Sequence, residues 1–312
     1  MQIHEIDTES GSLKYVVKEG YVLLTEYHGR DISLTIPKCV EKKPVAVIGK
    51  KAFLGAKSLQ KLVLPEGIIQ IQDWAFAFCS NLESLTLPRK KLDIGQGIMK
   101  DCFKLRQIII DEDESETEKD TDTEKETEGI SYLLAAVMNK LEAFYLFDPS
   151  AAGSRSWLEQ WDARLLSLME QEDTEGFSKM LLCGEEDYGS KDNNLDYYVE
   201  QRRRFKVRLS MLRLIYDIGL QPSVRSILLS YLQSHKKGES SEETWKVVLE
   251  EHGDDRRYYQ FLLDNDCITE ENFDAVLSDM GERHTEMKAF LMNERSIKSK
   301  NADAFAALEF EL

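Results

Sequence analysis

The 312-residue chain contains no run of about 18 consecutive apolar residues, the length that a membrane-spanning helix needs. Its first residues, MQIHEIDTES, have neither a basic start nor an apolar stretch, so no secretory leader is read there. Cysteine is sparse: Cys39, Cys79, Cys102, Cys183 and Cys267 make an odd set of five with no C-x-x-C. That pattern reads as reduced thiols, not as a disulfide framework or a metal site. The expectation is a cytoplasmic protein, with an exported chain trimmed of its leader as the alternative.

Positive charge is scarce, with 40 Lys+Arg against 57 Asp+Glu and a net charge of −17. The imbalance is uneven. Residues 1–110 carry 16 basic and 12 acidic groups, or +4; residues 111–128 carry 2 and 11, or −9; residues 129–312 carry 22 and 34, or −12. Binding to nucleic acid rests on neutralising phosphates with Lys and Arg, and anionic membranes repel acidic proteins. No nucleic-acid partner and no membrane insertion are therefore expected.

Catalytic signatures are also missing. The chain has no G-x-x-x-x-G-K-[ST], no G-x-G-x-x-G, no G-x-S-x-G and no H-E-x-x-H. Its histidines, His4, His28, His235, His252 and His284, are scattered, and His252 beside Glu250, Glu251, Asp254 and Asp255 reads as a solvated helix end. Asp264-Asn265-Asp266 opens like a calcium loop, but Thr269 stands where that loop needs glycine. No catalytic, cofactor-binding or metal-binding residue is assigned. Arg202, Arg203, Arg204, Lys206 and Arg208 form the basic cluster of the acidic half. It could meet a phosphate or an acidic peptide, but such residues more often pair with carboxylates of their own domain.

What the chain does have is a period of 23 residues. Pro65 and Pro88, Leu59, Leu82 and Leu105, Ile48, Ile71 and Ile94, and the small residues Ala56, Cys79 and Cys102 all recur at that spacing. Ala52-Phe53 and Ala75-Phe76 match, and Ile98-Met99 replaces them in the third unit. Leu62-Val63-Leu64, Leu85-Thr86-Leu87 and Ile108-Ile109-Ile110 read as short strands whose outer two apolar residues face inward. One coil cannot bury them alone, so stacked coils with a parallel sheet are expected. Leu34-Thr35-Ile36-Pro37 begins a first unit with five extra residues near Lys42-Lys43-Pro44, and YVVKEGYVLL reads as a capping hairpin turning at Lys18-Glu19-Gly20.

The stretch LTIPKCVEKKPVAVIGKKAFLGAKSLQKLVLPEGIIQIQDWAFAFCSNLESLTLP resembles the bacterial surface-antigen (BspA-like) class of leucine-rich repeats over roughly residues 12–111. The shared pattern is IP, a valine-rich step, IG, AF, a small residue or Cys, L, then L-x-LP. The third unit departs from it, lacking AF and the closing proline, as a terminal repeat does. The resemblance implies a scaffold for adhesion or protein recognition and no catalytic residues.

Residues 111–128, DEDESETEKDTDTEKETE, lack any aromatic or apolar residue and read as a self-repelling disordered spacer. From Gly129 the pattern becomes helical. ISYLLAAVMNKLEAFYLF ends at Asp148-Pro149; Ser156 with Glu159 and Ser240 with Glu243 form possible capping boxes; residues 184–194 form a polar loop; a long helix spans Tyr197–Ile218 with Gly219 as its stop; and Pro222 starts another helix. Phe261-Leu262-Leu263 and Phe290-Leu291-Met292 lie 29 apart, a loose resemblance to degenerate ankyrin-type helix pairs without their T-P-L-H turn. The expected fold is thus α+β: a leucine-rich-repeat solenoid in residues 1–110, an acidic linker in 111–128 and an all-α domain in 129–312.

The function read from this is a non-catalytic protein–protein interaction module. A surface-associated adhesin and an enzyme with an unrecognised site among the helices are the alternatives. Two surfaces are candidates for a protein partner. Lys61, Val63, Ser84, Thr86, Gln107 and Ile109 point outward from neighbouring strands. Trp74 and Phe78, four residues apart, would share an outer face if the Ala-Phe segment makes a helical turn.

Overall fold

A computed structural model describes residues 2–111, 121–183 and 194–309. Its strands are β1 (His4–Asp7), β2 (Gly11–Val17), β3 (Val22–Gly29), β4 (Ser33–Thr35), β5 (Cys39–Val40), β6 (Lys43–Ile48), β7 (Lys61–Val63), β8 (Gln70–Ile71), β9 (Ser84–Pro88), β10 (Asp93–Ile94) and β11 (Gln107–Asp111). One sheet has the order β11-β9-β7-β4, all parallel; the other runs β1-β2-β3-β6-β8-β10, with β5 paired to β6. The 23-residue period sets both registers: Leu62 lies opposite Leu85 and Leu85 opposite Ile108, while Ile48, Ile71 and Ile94 align across β6, β8 and β10. This is a leucine-rich-repeat solenoid, followed in the chain by helices.

The columns form the core. Leu34, Leu62, Leu85 and Ile108 are buried along one row and Ile36, Leu64, Leu87 and Ile110 along the next. The aromatic column is a stack, with ring centroids of Tyr27 and Phe53 5.4 Å apart and those of Phe53 and Phe76 5.6 Å apart. Tyr27 belongs to the capping hairpin, so the cap continues the repeat's own core. The hairpin turns where the sequence places it, with Gly20 at φ +90° and the Lys18 N–H donating to the Tyr21 carbonyl. The extra residues of the first unit form a second hairpin, β5 to β6, turning on Glu41 and Lys42, both at positive φ. That backbone is the turn type that matches strand twist.

The third side of each coil, carrying the Ala-Phe pairs, is not helical. Alternate N–H groups stay within the coil, as Ala52 to Gly49 and Leu54 to Lys51 do, while the others reach the next coil. Lys51, Phe53 and Gly55 donate to the carbonyls of Asp73, Ala75 and Ala77; Trp74, Phe76 and Phe78 donate to those of Gln96, Ile98 and Lys100. The helical turn on which a shared outer face of Trp74 and Phe78 depended is absent, and a ladder of turns between coils stands in its place. Short apolar side chains at Ala52, Ala56 and Ala75, all buried, let the turns stack that closely.

The cap is pinned by Asp31. Its buried carboxylate accepts from the Thr8 and Tyr27 hydroxyls and from the Ser10 N–H. Burial raises the Asp31 pKa, but these hydrogen bonds outweigh it and hold the carboxyl below its ordinary value.

At the other end the acidic segment differs from the expected spacer. Residues 112–120 lie outside the described residues, but α1 (Thr121–Asn139) already includes 121–128. Residues 122–126 and Glu128 are exposed, with Asp122 and Glu124 favourably placed at the helix N-terminus. Further along, Leu133, Leu134, Ala135, Ala136 and Val137 are buried, and α1 packs on β11. The expected continuous helix through residue 147 breaks at Asn139, whose amide donates to the Leu105 carbonyl; Glu142 takes φ +49°, and Phe144–Leu146 form a short 3-10 turn. α2 (Arg155–Glu170) is capped by Ser154 instead of Ser156, because the helix already begins at Arg155 and Ser156 lies inside it; Glu159 pairs with Arg155.

The chain divides into two compact units: Met1–Ser167 with Tyr216–Leu220, and Leu168–Ile215 with Gln221–Leu312. The helix after the acidic segment therefore belongs with the solenoid, whereas residue 129 was the expected boundary. The physical reason is the apolar face of α1, which is buried on the last coil. In the second unit, α3 (Phe177–Cys183) is followed by α4 (Leu195–Ile215), α5 (Pro222–Gln233), α6 (Glu243–Glu251), α7 (Arg256–Asp264), α8 (Phe273–Met280) and α9 (Thr285–Glu309). α4 ends three residues before the expected Ile218, and Gly219 takes φ +59°. The Ser240–Glu243 box is not formed; Ser241 bonds Glu243 instead. Leu262 and Leu291, 29 apart, are both buried, and Arg256 lies over the Phe290 ring. No described helix is long and apolar enough to cross a membrane.

Two predictions test this packing. Leu82→Ala, at a fully buried position, lowers unfolding free energy by about 2–5 kcal/mol in urea titration, whereas Glu83→Ala on the neighbouring partly exposed position costs far less. Equal losses would contradict the register. Because the Asp31 pKa is depressed in the folded state, its contribution is present above the unfolded carboxyl value, about 3.9, and is lost as pH falls through the folded value. Asp31→Asn should flatten the acid limb of the stability profile, measured by thermal melting against pH; an unchanged limb would remove Asp31 as the cap's tie.

Candidate protein-binding surfaces

The β7-β9-β11 face is set by strand alternation. Lys61 lies beside Ser84 and Ser84 beside Gln107; Val63 lies beside Thr86 and Thr86 beside Ile109. The six residues thus form two rows across strands about 4.8 Å apart. Lys61 is exposed and the other five are half-buried, giving a small surface of mixed polarity.

The turn ladder positions the aromatic pair differently. Two columns take left-handed backbone in each coil: Lys51, Trp74 and Gly97 at φ +60°, +60° and +61°, and Gly55, Phe78 and Asp101 at +69°, +62° and +58°. Such φ values cost an L-residue about 1–2 kcal/mol, and glycine relieves that cost. Trp74 and Phe78 occupy them nonetheless. Trp74 is half-buried and leans on the following coil, where a Cβ built on Gly97 would lie 3.5 Å from its ring and the Lys100 ammonium stands 5.3 Å from its centroid. It therefore does not enter the core. Phe78 is 42% exposed.

Beyond these residues, a cleft of about 390 Å³ lies in the same unit between the turns of the third coil and the end of α1. Gly97, Lys100, Phe103, Met138, Lys140 and Phe144 are among its lining. Phe103 is 78% exposed and Phe144 47%, and Tyr145 next to it is 69% exposed. Sequence reasoning passed over all three. The signal for Phe103 was available: its column holds Lys57 and Ser80, so a phenylalanine there faces water. Phe144 and Tyr145 were hidden in a stretch read as one apolar helix.

Cys79 and Cys102 are buried in the small-residue column, and their thiols donate to the carbonyls of Phe53 and Phe76. Burial pushes the two pKa values up to about 11 and about 12, which favours inert thiols. The basic cluster is engaged within its own unit: Arg203 and Lys206 on Asp173, Arg204 on Glu200 and Glu250, Arg208 on Glu251, and Arg202 on Gln171. His252 stacks on Tyr258. Among the described residues no group of three acidic, His or Cys side chains could hold a metal ion.

Residues 33–121 match the family model described as BspA type leucine rich repeat region (6 copies). Solved structures similar to the chain include the T. pallidum leucine rich repeat protein TpLRR, 24% identical over 30% of this chain and 55% of that one, with a TM-score of 0.26. A leucine-rich repeat protein from Bacteroides capillosus is 22% identical over 35% of this chain and 99% of that one, TM-score 0.26. The pneumococcal vaccine antigen PcpA is 19% identical over 35% and 38%, TM-score 0.24. The match thus spans about half of the first of these structures. No curated protein matches the sequence.

Phe78→Gly isolates the left-handed column. Relief of backbone strain opposes the greater entropy of the unfolded glycine chain, so unfolding free energy should stay within about 1 kcal/mol of the parent in urea titration. A loss of more than about 2 kcal/mol would make Phe78 a core residue and remove it from the surface.

Proposed function

We propose that the N-terminal BspA-type repeats form a protein-recognition module that acts without catalysis, and that the turn ladder is its principal contact surface. The observation that carries this is the placement of Trp74 and Phe78 at left-handed positions which the same columns fill with glycine in other coils. The fold does not need an aromatic side chain there, and a bulky residue at positive φ is a strained choice. Large, stiff aromatic side chains at the surface supply binding energy at low entropic cost, and tryptophan is enriched at interface hot spots. The sheet face of Lys61, Val63, Ser84, Thr86, Gln107 and Ile109 is a second contact surface in this reading, supported by its regular two-row register. A cytoplasmic setting fits the free thiols of Cys39, Cys79, Cys102 and Cys267.

The test is affinity capture by the full chain from its native cell, read by mass spectrometry, followed by titration of the captured partner. Trp74→Ala should weaken binding by about 2 kcal/mol while leaving the melting curve nearly unchanged. The double change Val63→Arg and Thr86→Arg reports on the sheet face separately. Capture that survives both sets of changes at full affinity would rule out the solenoid as the recognition surface.

A further inference from the structure

Resting on that reading, we infer that the cleft beside the third coil receives an extended acidic peptide of a partner protein, held by backbone hydrogen bonds to the open end of the turn ladder and by one apolar anchor side chain. The ladder supplies the first observation. In the two preceding coils the alternate N–H groups at 51, 53 and 55, and at 74, 76 and 78, each donate to a carbonyl of the next coil. The equivalent donors of the third coil are Gly97, Met99 and Asp101. They have no next coil, and their N–H groups make no hydrogen bond among the described residues. All three line the cleft. Met99 is buried as a residue. A donor without a protein acceptor is paired when an extended segment brings its carbonyls to the place of the missing coil. The recognition is analogous to adding a strand to an open sheet edge.

The second observation is the wall opposite. Met138 and Phe144 face the third coil across the cleft, and Phe103 completes an apolar rim that is largely in water. Methionine adapts its shape to an incoming side chain. The volume, about 390 Å³, is near the lower end of the range of about 300–1,000 Å³ for ligand sites, which suits an anchor side chain and its backbone.

The third observation is charge. Lys100 stands on the coil wall of the cleft, with exposed Lys104 just beyond Phe103. Asp101 is the acid in the lining, and Glu142 lies 4.0 Å from Arg164. The solenoid, residues 1–110, carries +4 in a chain whose remaining residues carry −9 and −12. An acidic segment is attracted by these lysines, whereas a basic one is repelled by them.

The experiment uses the full chain against a display library of short random peptides, and then a labelled synthetic copy of the enriched peptide in fluorescence anisotropy. Enrichment of net-acidic peptides with an aliphatic or aromatic residue is expected. Phe144→Ser and Lys100→Glu should each weaken the synthetic peptide by about tenfold, or about 1.4 kcal/mol. Because both side chains are exposed, unchanged melting curves serve as the folding control. Amide exchange gives a readout that surface stickiness would not move: the N–H groups of Gly97, Met99 and Asp101 should exchange slower when the peptide is bound. The inference is overturned by enrichment of basic peptides, by equal binding to the Phe144→Ser and Lys100→Glu variants, or by no added protection at those three amides. It is also overturned if single-stranded oligonucleotide displaces the peptide more tightly than the peptide binds, or if the cleft variants abolish a concentration-dependent self-association instead. Should Trp74→Ala reduce capture of the native partner while the cleft variants do not, the recognition reading stands and this inference alone falls.

Discussion

Backbone hydrogen bonding between coils is the constraint on which the rest of the solenoid depends. A repeat of 23 residues is too short to enclose its own apolar columns or to pair its own N–H groups. Lys51, Phe53 and Gly55 find acceptors only on the following coil, and Leu62, Leu85 and Ile108 lose contact with water only by stacking. Every internal coil is therefore satisfied by two neighbours, and each terminal coil lacks one. The N-terminal side is closed by a hairpin that imitates a coil: β3 pairs in parallel with β6, Leu24 falls beside Ile48, and Tyr27 extends the stack of Phe53 and Phe76. Asp31 then ties that hairpin down through side chains that a repeat does not itself possess.

The periodic part of this was legible from the residues. A spacing of 23 places Leu82 inside and Glu83 beside it outside, and the structure aligns the same columns in its strands. The stretches that escaped share a physical cause: their conformation is decided by contacts remote in sequence. The Ala-Phe segments look like helical turns locally, but their alternate N–H groups are claimed by the next coil. Residues 121–128 are polar enough to be read as a spacer, yet they continue a helix whose later turns are buried on β11. The break at Asn139 follows from a hydrogen bond to Leu105, 34 residues away, which no local propensity encodes. On the surface, the two rows of outward strand residues were legible, while Phe103, Phe144 and Tyr145 were not. The column of Lys57, Ser80 and Phe103 would have revealed the first of these, but the other two required knowing where α1 stops.

The same ladder explains why strain sits where it does. Directing one N–H within the coil and the next one outward forces φ positive at two places in each coil, and the values agree to within about ten degrees across the repeat. Where glycine fills a left-handed place, as at Gly55 and Gly97, the fold alone accounts for it. Where Trp74 and Phe78 do, the side chain must compensate for the backbone. Part of Trp74's compensation is visible in its contact with Gly97 and Lys100. Phe78 has far less, since 42% of it remains exposed.

The cleft follows from how the solenoid ends. In the third coil Ile98-Met99 stand where Ala-Phe stood, so the aromatic stack stops at Phe76 and a flexible thioether side chain takes the next place. α1 covers the strand side of this coil, on β11, with a row of buried aliphatic side chains. It cannot serve the turn side in the same way, because a helix has its own N–H groups bonded internally and offers free carbonyls only in its last turn. One such polar contact is made by the Asn139 side chain, which donates to Leu105 and so uses an acceptor instead of supplying one. The donors at Gly97, Met99 and Asp101 are left facing a gap rimmed by Phe103, Met138 and Phe144. A helical cap thus closes the apolar columns of a solenoid more readily than it closes a backbone ladder, and the unmatched remainder has the hydrogen-bonding pattern of a place for an extended chain.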